Sequence, residues 1–396
     1  MTDHLLHLRR QFPIVEETTY LVSHSLGAMP REVYTRLHDY AEDWALRGVR
    51  NWKEQWWDLN GQVGDKVGGI INAQPSSVSI HENLSTAASI FLSGVTFPTG
   101  RDKVVIDDMI FPTMYYVLRG MLTPDLQLHQ VPSQDGISVP LDALLDAIDE
   151  RTALVSVSHV LFRSAYIMDV QAIIEKAHRV GALVLLDAYH SVGVIPVDVQ
   201  ALNVDVLIGG VLKWLCGGPG GVFMYVRPDL RPQITPRITG WFAHKRPFDF
   251  EVGEIELRDD AYRFLNGTFN VSTLYAMQPG LEVIAQAGVD RIRAKSRHQT
   301  ALLIELAQNA GYPLATPLNA DERAGTVTIA PPNAYAISRA LLDQEILVDY
   351  RENAGIRISP HFYTSDAELH HVIEAIADIL ASGAWERYSA SRDFVT

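Results

Sequence analysis

The middle of the chain alternates short, continuously apolar runs with segments whose apolar residues recur at helical spacing. The apolar runs are VVIDDMI at 104–110, ALVSVSHV at 153–160, ALVLLDA at 182–188 and VDVLIGGV at 204–211, and the helical segments are YYVLRGML and VQAIIEKAHRVG. Strands that are apolar on both faces and alternate with helices are typical of a parallel sheet that helices cover on both sides. The pattern therefore predicts an α/β fold with a mostly parallel sheet flanked by helices.

The pattern changes in the last third of the chain. A long helical stretch at 273–310 leads into TVTIAPP, the helix AYAISRALLDQEI, the strands LVDYRE and GIRISPH, and a last helix AELHHVIEAIADILASG. This mixture predicts a smaller α+β C-terminal domain of about a hundred residues. We therefore expect a large domain over 49–283, a small domain over 284–396, and an N-terminal segment, 1–48, that packs with the small domain or with a dimer partner.

Composition and charge narrow the classes of partner. The chain has 396 residues, of which 47% are hydrophobic and 20% charged, and a formal net charge of -14. Such a negative charge disfavours nucleic acid and anionic membranes, and no apolar run approaches the roughly 20 residues of a spanning helix. We expect a cytoplasmic protein with a small-molecule substrate. The single cysteine, Cys216, excludes a disulfide framework and a cysteine-rich metal cluster, and no metal site is predicted.

Two charged residues directly follow predicted buried strands. They are Asp187 in LVLLDAYHSVG and Lys213 in GGVLKWLCGGPGG. Ligands of such sheets bind beyond the carboxyl ends of the strands, and an isolated buried charge is costly. The two residues are therefore either a structural ion pair or part of a pyridoxal 5′-phosphate (PLP) site. In the second case the lysine amine forms an imine with the cofactor aldehyde, and the carboxylate keeps the pyridine nitrogen protonated.

Two further segments suit a PLP site. Ser85 and Thr86 of HENLSTAASIFLSG precede a predicted helix, where hydroxyls and free amides can bind a phosphate group. Taken alone, they are equally an ordinary helix N-cap. Phe111 of IFPTMYY follows a predicted strand and can stack on the cofactor ring.

Motifs along nearly the whole chain resemble one family. They are YLVSHSLGAMP, RNWKEQWWDL, FPT at 111–113, LLDAYHSVGVIPVDV, LKWLCGGPGGVFMYV, GWFAHKRPF, FLNGT and GIRISPHFY. Their order and spacing are similar to those of kynureninase, within the class V aminotransferase branch of fold type I PLP enzymes. The resemblance implies a PLP-dependent enzyme that acts on an L-amino acid as a homodimer, with its site at the subunit interface.

The resemblance also implies roles for individual residues. Lys213 corresponds to the Schiff-base lysine, Asp187 to the partner of the pyridine nitrogen and His190 to a catalytic residue beside the ring. Arg357 of GIRISP corresponds to the arginine that holds the substrate carboxylate, a role that suits its planar bidentate donor groups. The other implied cofactor contacts are Leu84, Ser85, Phe111 and Ser158 and, from the second subunit, Trp241 and Thr268.

Three positions depart from the family pattern. Leu212 stands where kynureninases carry a tyrosine that touches the phosphate, Met114 replaces an aspartate expected beside the cofactor, and His24 of SHSLG replaces an asparagine. Leu212 and Met114 offer no exchangeable proton. They therefore put the outcome of the reaction in question while leaving the cofactor machinery in place.

Three functional hypotheses follow. The leading one is C–C bond cleavage of the kynureninase type. The second is a biosynthetic class V enzyme that catalyses C–S lysis by β-elimination, transamination, epimerisation or decarboxylative oxidation of another amino acid. The third, a cofactor-binding protein without turnover, is disfavoured because Lys213, Asp187 and Arg357 are all retained. Cysteine desulfurase activity is excluded because LVDYRENAGIR contains no cysteine.

Overall fold

A seven-stranded mixed sheet forms the centre of the protein, in a computed structural model that describes residues 3–389. The strands of this sheet and of two smaller sheets are β1 (Thr19–Tyr20), β2 (Val78–His81), β3 (Lys103–Asp107), β4 (Gln127–Val131), β5 (Thr152–Ser158), β6 (Leu183–Asp187), β7 (Val206–Gly210), β8 (Val222–Val226), β9 (Val327–Ile329), β10 (Ile346–Leu347), β11 (Asp349–Arg351) and β12 (Gly355–Ile358).

The helices surround these sheets. They are α1 (Ile14–Glu17), α2 (Val33–Glu42), α3 (Trp57–Ile70), α4 (Leu84–Gly94), α5 (Pro112–Met121), α6 (Leu141–Ala147), α7 (Val170–Val180), α8 (Val199–Leu202), α9 (Val271–Ala287), α10 (Val289–Asn309), α11 (Ala334–Leu342) and α12 (Asp366–Ser382). Among residues 3–389, no helix is both long and apolar enough to cross a membrane.

The large sheet has the strand order β2-β8-β7-β6-β5-β3-β4. Its strands all run in one direction except β8, which is antiparallel to both of its neighbours. The predicted α/β fold with a mostly parallel sheet is therefore confirmed. The sequence pattern predicted β3, β5, β6 and β7, whereas β2, β4 and β8 were not predicted.

The apolar strands bury both of their faces, as the sequence pattern requires. Leu185 and Leu186 are adjacent on β6, yet they belong to different apolar clusters, one on each side of the sheet. Successive side chains of a strand point to opposite faces, so a run without polar positions fits a strand covered on both sides. Local signals set the helix ends: Asp169 caps the start of α7, and Gly181 ends it with a φ of 74°.

The C-terminal third forms the α+β unit that its pattern predicted. β9, β11 and β12 make an antiparallel sheet, which packs with α10, α11 and α12 around a separate apolar cluster. The stretch predicted as one long helix over 273–310 is divided at Gly288, which has a φ of 78°. This positive φ suits glycine and ends α9 before α10 begins.

The N-terminal segment pairs with the C-terminal unit. β1 runs parallel to β10, with Thr19 opposite Ile346. The boundary between the N-terminal segment and the large domain, at 48/49, stays a prediction. The boundary between the large and small domains, at 283/284, also stays a prediction, and it falls inside α9. Residues 1–2 of the predicted N-terminal segment and residues 390–396 of the predicted small domain lie outside the described residues.

Candidate active site

The carboxyl ends of β5 and β6 place two predicted site residues side by side. Ser158 ends β5 and Asp187 ends β6, and the two are paired in the parallel register. Asp187 is buried, and its Oδ1 accepts a hydrogen bond of 2.9 Å from the amide of Tyr189. Burial raises the pKa of Asp187 to about 6, although this hydrogen bond and the charge of Lys213 oppose the shift.

Lys213 lies in the glycine-rich turn that follows β7, and its side-chain nitrogen reaches His190, in the loop that follows β6. Nζ is 2.6 Å from Nε2 of the buried His190, and it lies 5.8 Å from the ring centroid of Phe111 and 4.9 Å from that of Tyr189. Within the described residues, no ion pair shorter than 4.0 Å joins Lys213 to Asp187. The alternative of a direct structural ion pair is therefore wrong.

The surroundings of Lys213 favour its neutral form. Burial lowers the pKa of Lys213 to about 7, and the nearby charge of Arg357 adds to the shift. Burial also lowers the pKa of His190 well below its usual value, with the charge of Lys213 as the next cause. A neutral amine is the nucleophilic form of lysine, so this environment activates Lys213 near neutral pH.

These side chains open into a cavity of about 250 Å³. The residues that line it are Asn83, Leu84, Ser85, Phe111, Thr113, Asp187, Tyr189, His190, Leu212 and Lys213. The structure thus brings together six of the predicted site residues. Ser158 is buried beside Asp187 and does not line the cavity.

The N-terminus of α4 forms one end of the cavity. Asn83 is the N-cap, because its Oδ1 accepts a 2.9 Å hydrogen bond from the amide of Thr86. The N-cap alternative for Ser85 and Thr86 is therefore wrong, since both lie inside the helix. The amides of Leu84 and Ser85 donate to no residue among those described. Such free amides at the positive end of a helix suit an anionic group.

The start of α5 provides the aromatic residue of the cavity. Phe111 directly precedes Pro112, the first residue of α5, and its ring meets that of Phe162 edge-on at 5.1 Å. Phe111 is 39% exposed, so one side of its ring is free for a planar ligand. Met114 is 1% exposed and packs in the apolar cluster beneath the helix, while Thr113 lines the cavity. Position 114 therefore does not line the cavity, and its place beside the cofactor stays a prediction.

Arg357 is buried next to this cavity and is already paired. On β12 it lies opposite Asp349 of β11, and its Nε donates to Asp349 Oδ1 at 2.8 Å. A second guanidinium nitrogen also bonds to Asp349, and a third donates to the carbonyl oxygen of Phe162 at 2.6 Å. Asp349 Oδ1 is also 3.0 Å from Nε2 of His24. Burial, with the charge of Arg357 as the next cause, lowers the pKa of His24 to about 4.

Asp349 and Tyr189 are site residues that the sequence pattern did not predict. Asp349 stands in LVDYRE, which was interpreted as a strand only, and its pairing depends on the antiparallel register of β11 and β12. Tyr189 stands between Asp187 and His190 in the chain. This position was the one signal in the sequence that could have indicated Tyr189 as a residue of the cavity.

Trp241 and Thr268 lie away from the cavity of their own subunit. Trp241 packs edge-on against Trp57 at 5.5 Å and is 39% exposed, and Thr268 is exposed. Neither residue lines the cavity around Lys213. Their roles, which the resemblance assigns to a second subunit, stay predictions.

The chain is similar to known proteins over nearly its whole length. Residues 19–369 match the protein family described as aminotransferase class-V. The sequence is 32% identical to a kynureninase of Pseudomonas fluorescens, over 97% of this chain and 94% of that protein. It is also 32% identical to the uncharacterized aminotransferase YcbU of Bacillus subtilis (strain 168), over 95% of this chain and 98% of that protein.

Solved structures share the fold. A cysteine desulfurase from Thermococcus onnurineus NA1 superposes with a TM-score of 0.82 at 20% identity, covering 95% of this chain and 98% of that one. The cystine C–S lyase C-DES, in complex with cysteine persulfide, has a TM-score of 0.83 at 21% identity, with 93% and 99% covered. Another C-DES structure holds glycine covalently linked to its PLP cofactor.

Proposed function

This chain belongs to the aminotransferase class-V family with PLP as its cofactor, and on that premise we propose that it acts on an L-amino acid with the cofactor held covalently at Lys213. One observation carries the proposal. Lys213, Phe111, Ser85 and the pair Asp187 and His190 come from four separate segments of the chain, and all of them line one cavity. When bound, PLP withdraws electrons from the Cα atom of an attached amino acid.

The residues of the cavity fit this cofactor. Lys213 Nζ would bind its aldehyde, and the carboxylate of Asp187 would pair with its pyridine nitrogen. Phe111 offers an open ring face for stacking. The free amides of Leu84 and Ser85, together with the Ser85 hydroxyl, suit its phosphate.

The protonation states of these groups support the proposed roles. Because burial lowers the pKa of Lys213 to about 7, much of the amine is neutral and nucleophilic at neutral pH. His190 is neutral as well, and its Nε2 lies within hydrogen-bond distance of Nζ, so it holds the amine in position. A pyridinium opposite Asp187 would stabilise the carboxylate that burial alone disfavours.

We propose Arg357 as the group that binds the substrate α-carboxylate. Asp349 holds the guanidinium plane through two hydrogen bonds, so its remaining N–H groups are fixed in direction. Arg357 is near enough to Lys213 for its charge to lower the pKa of the amine. An amino acid whose amine replaced that of Lys213 at the cofactor aldehyde would therefore bring its carboxylate toward a cation.

Hydrolytic cleavage of the kynureninase type is the leading reaction. Its support is the 32% identity with a kynureninase over 97% of this chain. In that reaction water adds at the side-chain ketone and the bond between Cβ and Cγ breaks, which yields alanine and an anthranilate. Amino transfer to a 2-oxo acid is the second candidate, because Leu212 places an apolar group in the cavity where the cleavage reaction would use a phenol. The similarity to YcbU supports it as well.

Product analysis separates the two reactions. Purified holoenzyme is incubated with L-kynurenine or 3-hydroxy-L-kynurenine, and alanine and the anthranilate are measured. In parallel it is incubated with a panel of L-amino acids and pyruvate, and the 2-oxo acid products are measured. The variant Lys213→Ala is the control for both arms. Alanine and anthranilate in equal amounts support cleavage, 2-oxo acids alone support transfer, and no turnover in either arm contradicts both candidates.

We further propose a homodimer in which Trp241 and Thr268 serve the cavity of the partner subunit. Both residues lie outside the cavity of their own subunit, and both are exposed. Trp241 also has exposed aromatic neighbours, since Phe248 is 59% and Phe250 is 74% exposed. Apolar surface of this kind is typical of a protein interface.

A further inference from the structure

Tyr189 places a phenol in the cavity where Leu212 offers none. Both residues line the cavity, and the ring centroid of Tyr189 lies 4.9 Å from Nζ of Lys213. The backbone of Tyr189 is fixed through its amide, which donates to Asp187 at 2.9 Å. The ring is therefore held between the two residues that the proposed function depends on.

Gly210 makes room for the end of this ring. A methyl group built on Gly210 would overlap the hydroxyl oxygen, Cζ and Cε2 of Tyr189. Gly210 is the last residue of β7, three positions before Lys213. The Tyr189 hydroxyl thus occupies the space that a side chain at position 210 would fill. This space lies at the carboxyl end of β7, near the cavity.

The hydroxyl of Tyr189 is available as a donor. Among residues 3–389 it makes no hydrogen bond. Burial, helped by the charge of Asp187, raises the pKa of Tyr189 to about 12, so the phenol keeps its proton at neutral pH. Asn83, Leu84 and Ser85, at the start of α4, line the same cavity, and the free amides at this helix N-terminus suit an anionic group.

We propose that the Tyr189 hydroxyl donates a hydrogen bond to the phosphate group of the cofactor and so replaces the phenol that is missing at Leu212. This inference rests on the proposed cofactor site around Lys213. Tyr189 then acts as a binding residue, and Gly210 permits its position.

PLP and pyridoxal are two aldehydes that differ in the phosphate group, so their binding tests whether Tyr189 contacts the phosphate. The apo forms of the wild type and of Tyr189→Phe are titrated with PLP and with pyridoxal, which lacks the phosphate, and each dissociation constant is measured by visible absorbance. We expect the variant to bind PLP about 10- to 100-fold more weakly, the range for a lost hydrogen bond to a charged group, and pyridoxal within about 2-fold of the wild type. The ³¹P resonance of bound PLP should also shift.

Controls and rescue complete the test. Tyr115→Phe removes a phenol that packs against the same apolar cluster outside the cavity, and it should leave both constants unchanged. Leu212→Tyr, added to Tyr189→Phe, should restore PLP affinity. An equal loss for PLP and pyridoxal, or no loss for either, would overturn the role of Tyr189. Failure of the wild type to bind PLP at all would instead overturn the proposed cofactor site.

Discussion

Arg357 and Asp349 face each other on adjacent antiparallel strands, and the guanidinium donates two hydrogen bonds to the carboxylate. Both side chains are almost fully buried. The Asp349 carboxylate compensates the charge of Arg357, whose guanidinium lies near the Lys213 amine. It also fixes the direction of the guanidinium N–H groups. The GIRISP motif predicts Arg357 as the residue that binds the substrate carboxylate. In the structure this arginine forms a buried ion pair with Asp349.

Removal of the Asp349 charge should strongly destabilise the protein. Asp349→Asn leaves Arg357 buried without its anion, and breaking a buried pair in this way costs about 3–5 kcal/mol of unfolding free energy. Urea unfolding of the apo protein measures the change. Asp343→Asn is the matched control, since Asp343 pairs with Arg387 at the surface and should contribute less than about 1 kcal/mol. Equal effects of the two substitutions would contradict a special role for the buried pair.

Lys213 should be the residue that carries the cofactor covalently. Borohydride treatment of the wild-type holoenzyme should fix the cofactor to the peptide that contains Lys213, as peptide mass mapping would show. Lys213→Ala should yield no labelled peptide, because no other lysine lines the cavity. Lys53→Ala, which removes an exposed lysine, should retain the label. Labelling of Lys213→Ala at another lysine would refute the assignment.

The rate of cofactor attachment should depend on pH through the Lys213 amine. Burial, with Arg357 as the next cause, lowers the pKa of Lys213 from 10.5 to about 7. Only the neutral amine attacks an aldehyde, so the rate constant should rise with pH up to about 7 and then level off. Stopped-flow absorbance of apo protein mixed with PLP measures it, with Nα-acetyllysine in parallel. A protein rate that climbs about tenfold per pH unit to pH 9, as expected for an ordinary lysine, would contradict the lowered pKa.

Hybrid dimers test whether Trp241 serves the partner's cavity. Lys213→Ala and Trp241→Ala subunits are each expected to be inactive alone. After unfolding and refolding together in equal amounts, they should recover roughly a quarter of wild-type activity, because half of the dimers then contain one intact site. Lys213→Ala mixed with the double variant Lys213→Ala/Trp241→Ala is the control and should stay inactive. The same lack of activity in the first mixture would contradict a site shared between the subunits.

The local sequence is enough to predict the central strands and the two charged residues at their ends. Continuous apolar runs predict β5, β6 and β7, because a strand covered on both faces tolerates few polar side chains. Asp187 and Lys213 stand directly after such runs, so their approach at the sheet edge follows from the parallel topology. β4, with the sequence QLHQV, escaped prediction because it is an edge strand with mostly solvent-accessible side chains.

Which side chains contact one another depends on the packing of separate elements. Met114 lies in the core and Thr113 lines the cavity, because the packing of α5 sets the direction in which each side chain points. Asp349 reaches Arg357 through the register of two strands, and Tyr189 fits because Gly210, on a different strand, has no side chain. Periodicity records the face on which a residue lies, whereas such contacts depend on how separate elements pack, and no local pattern encodes that packing.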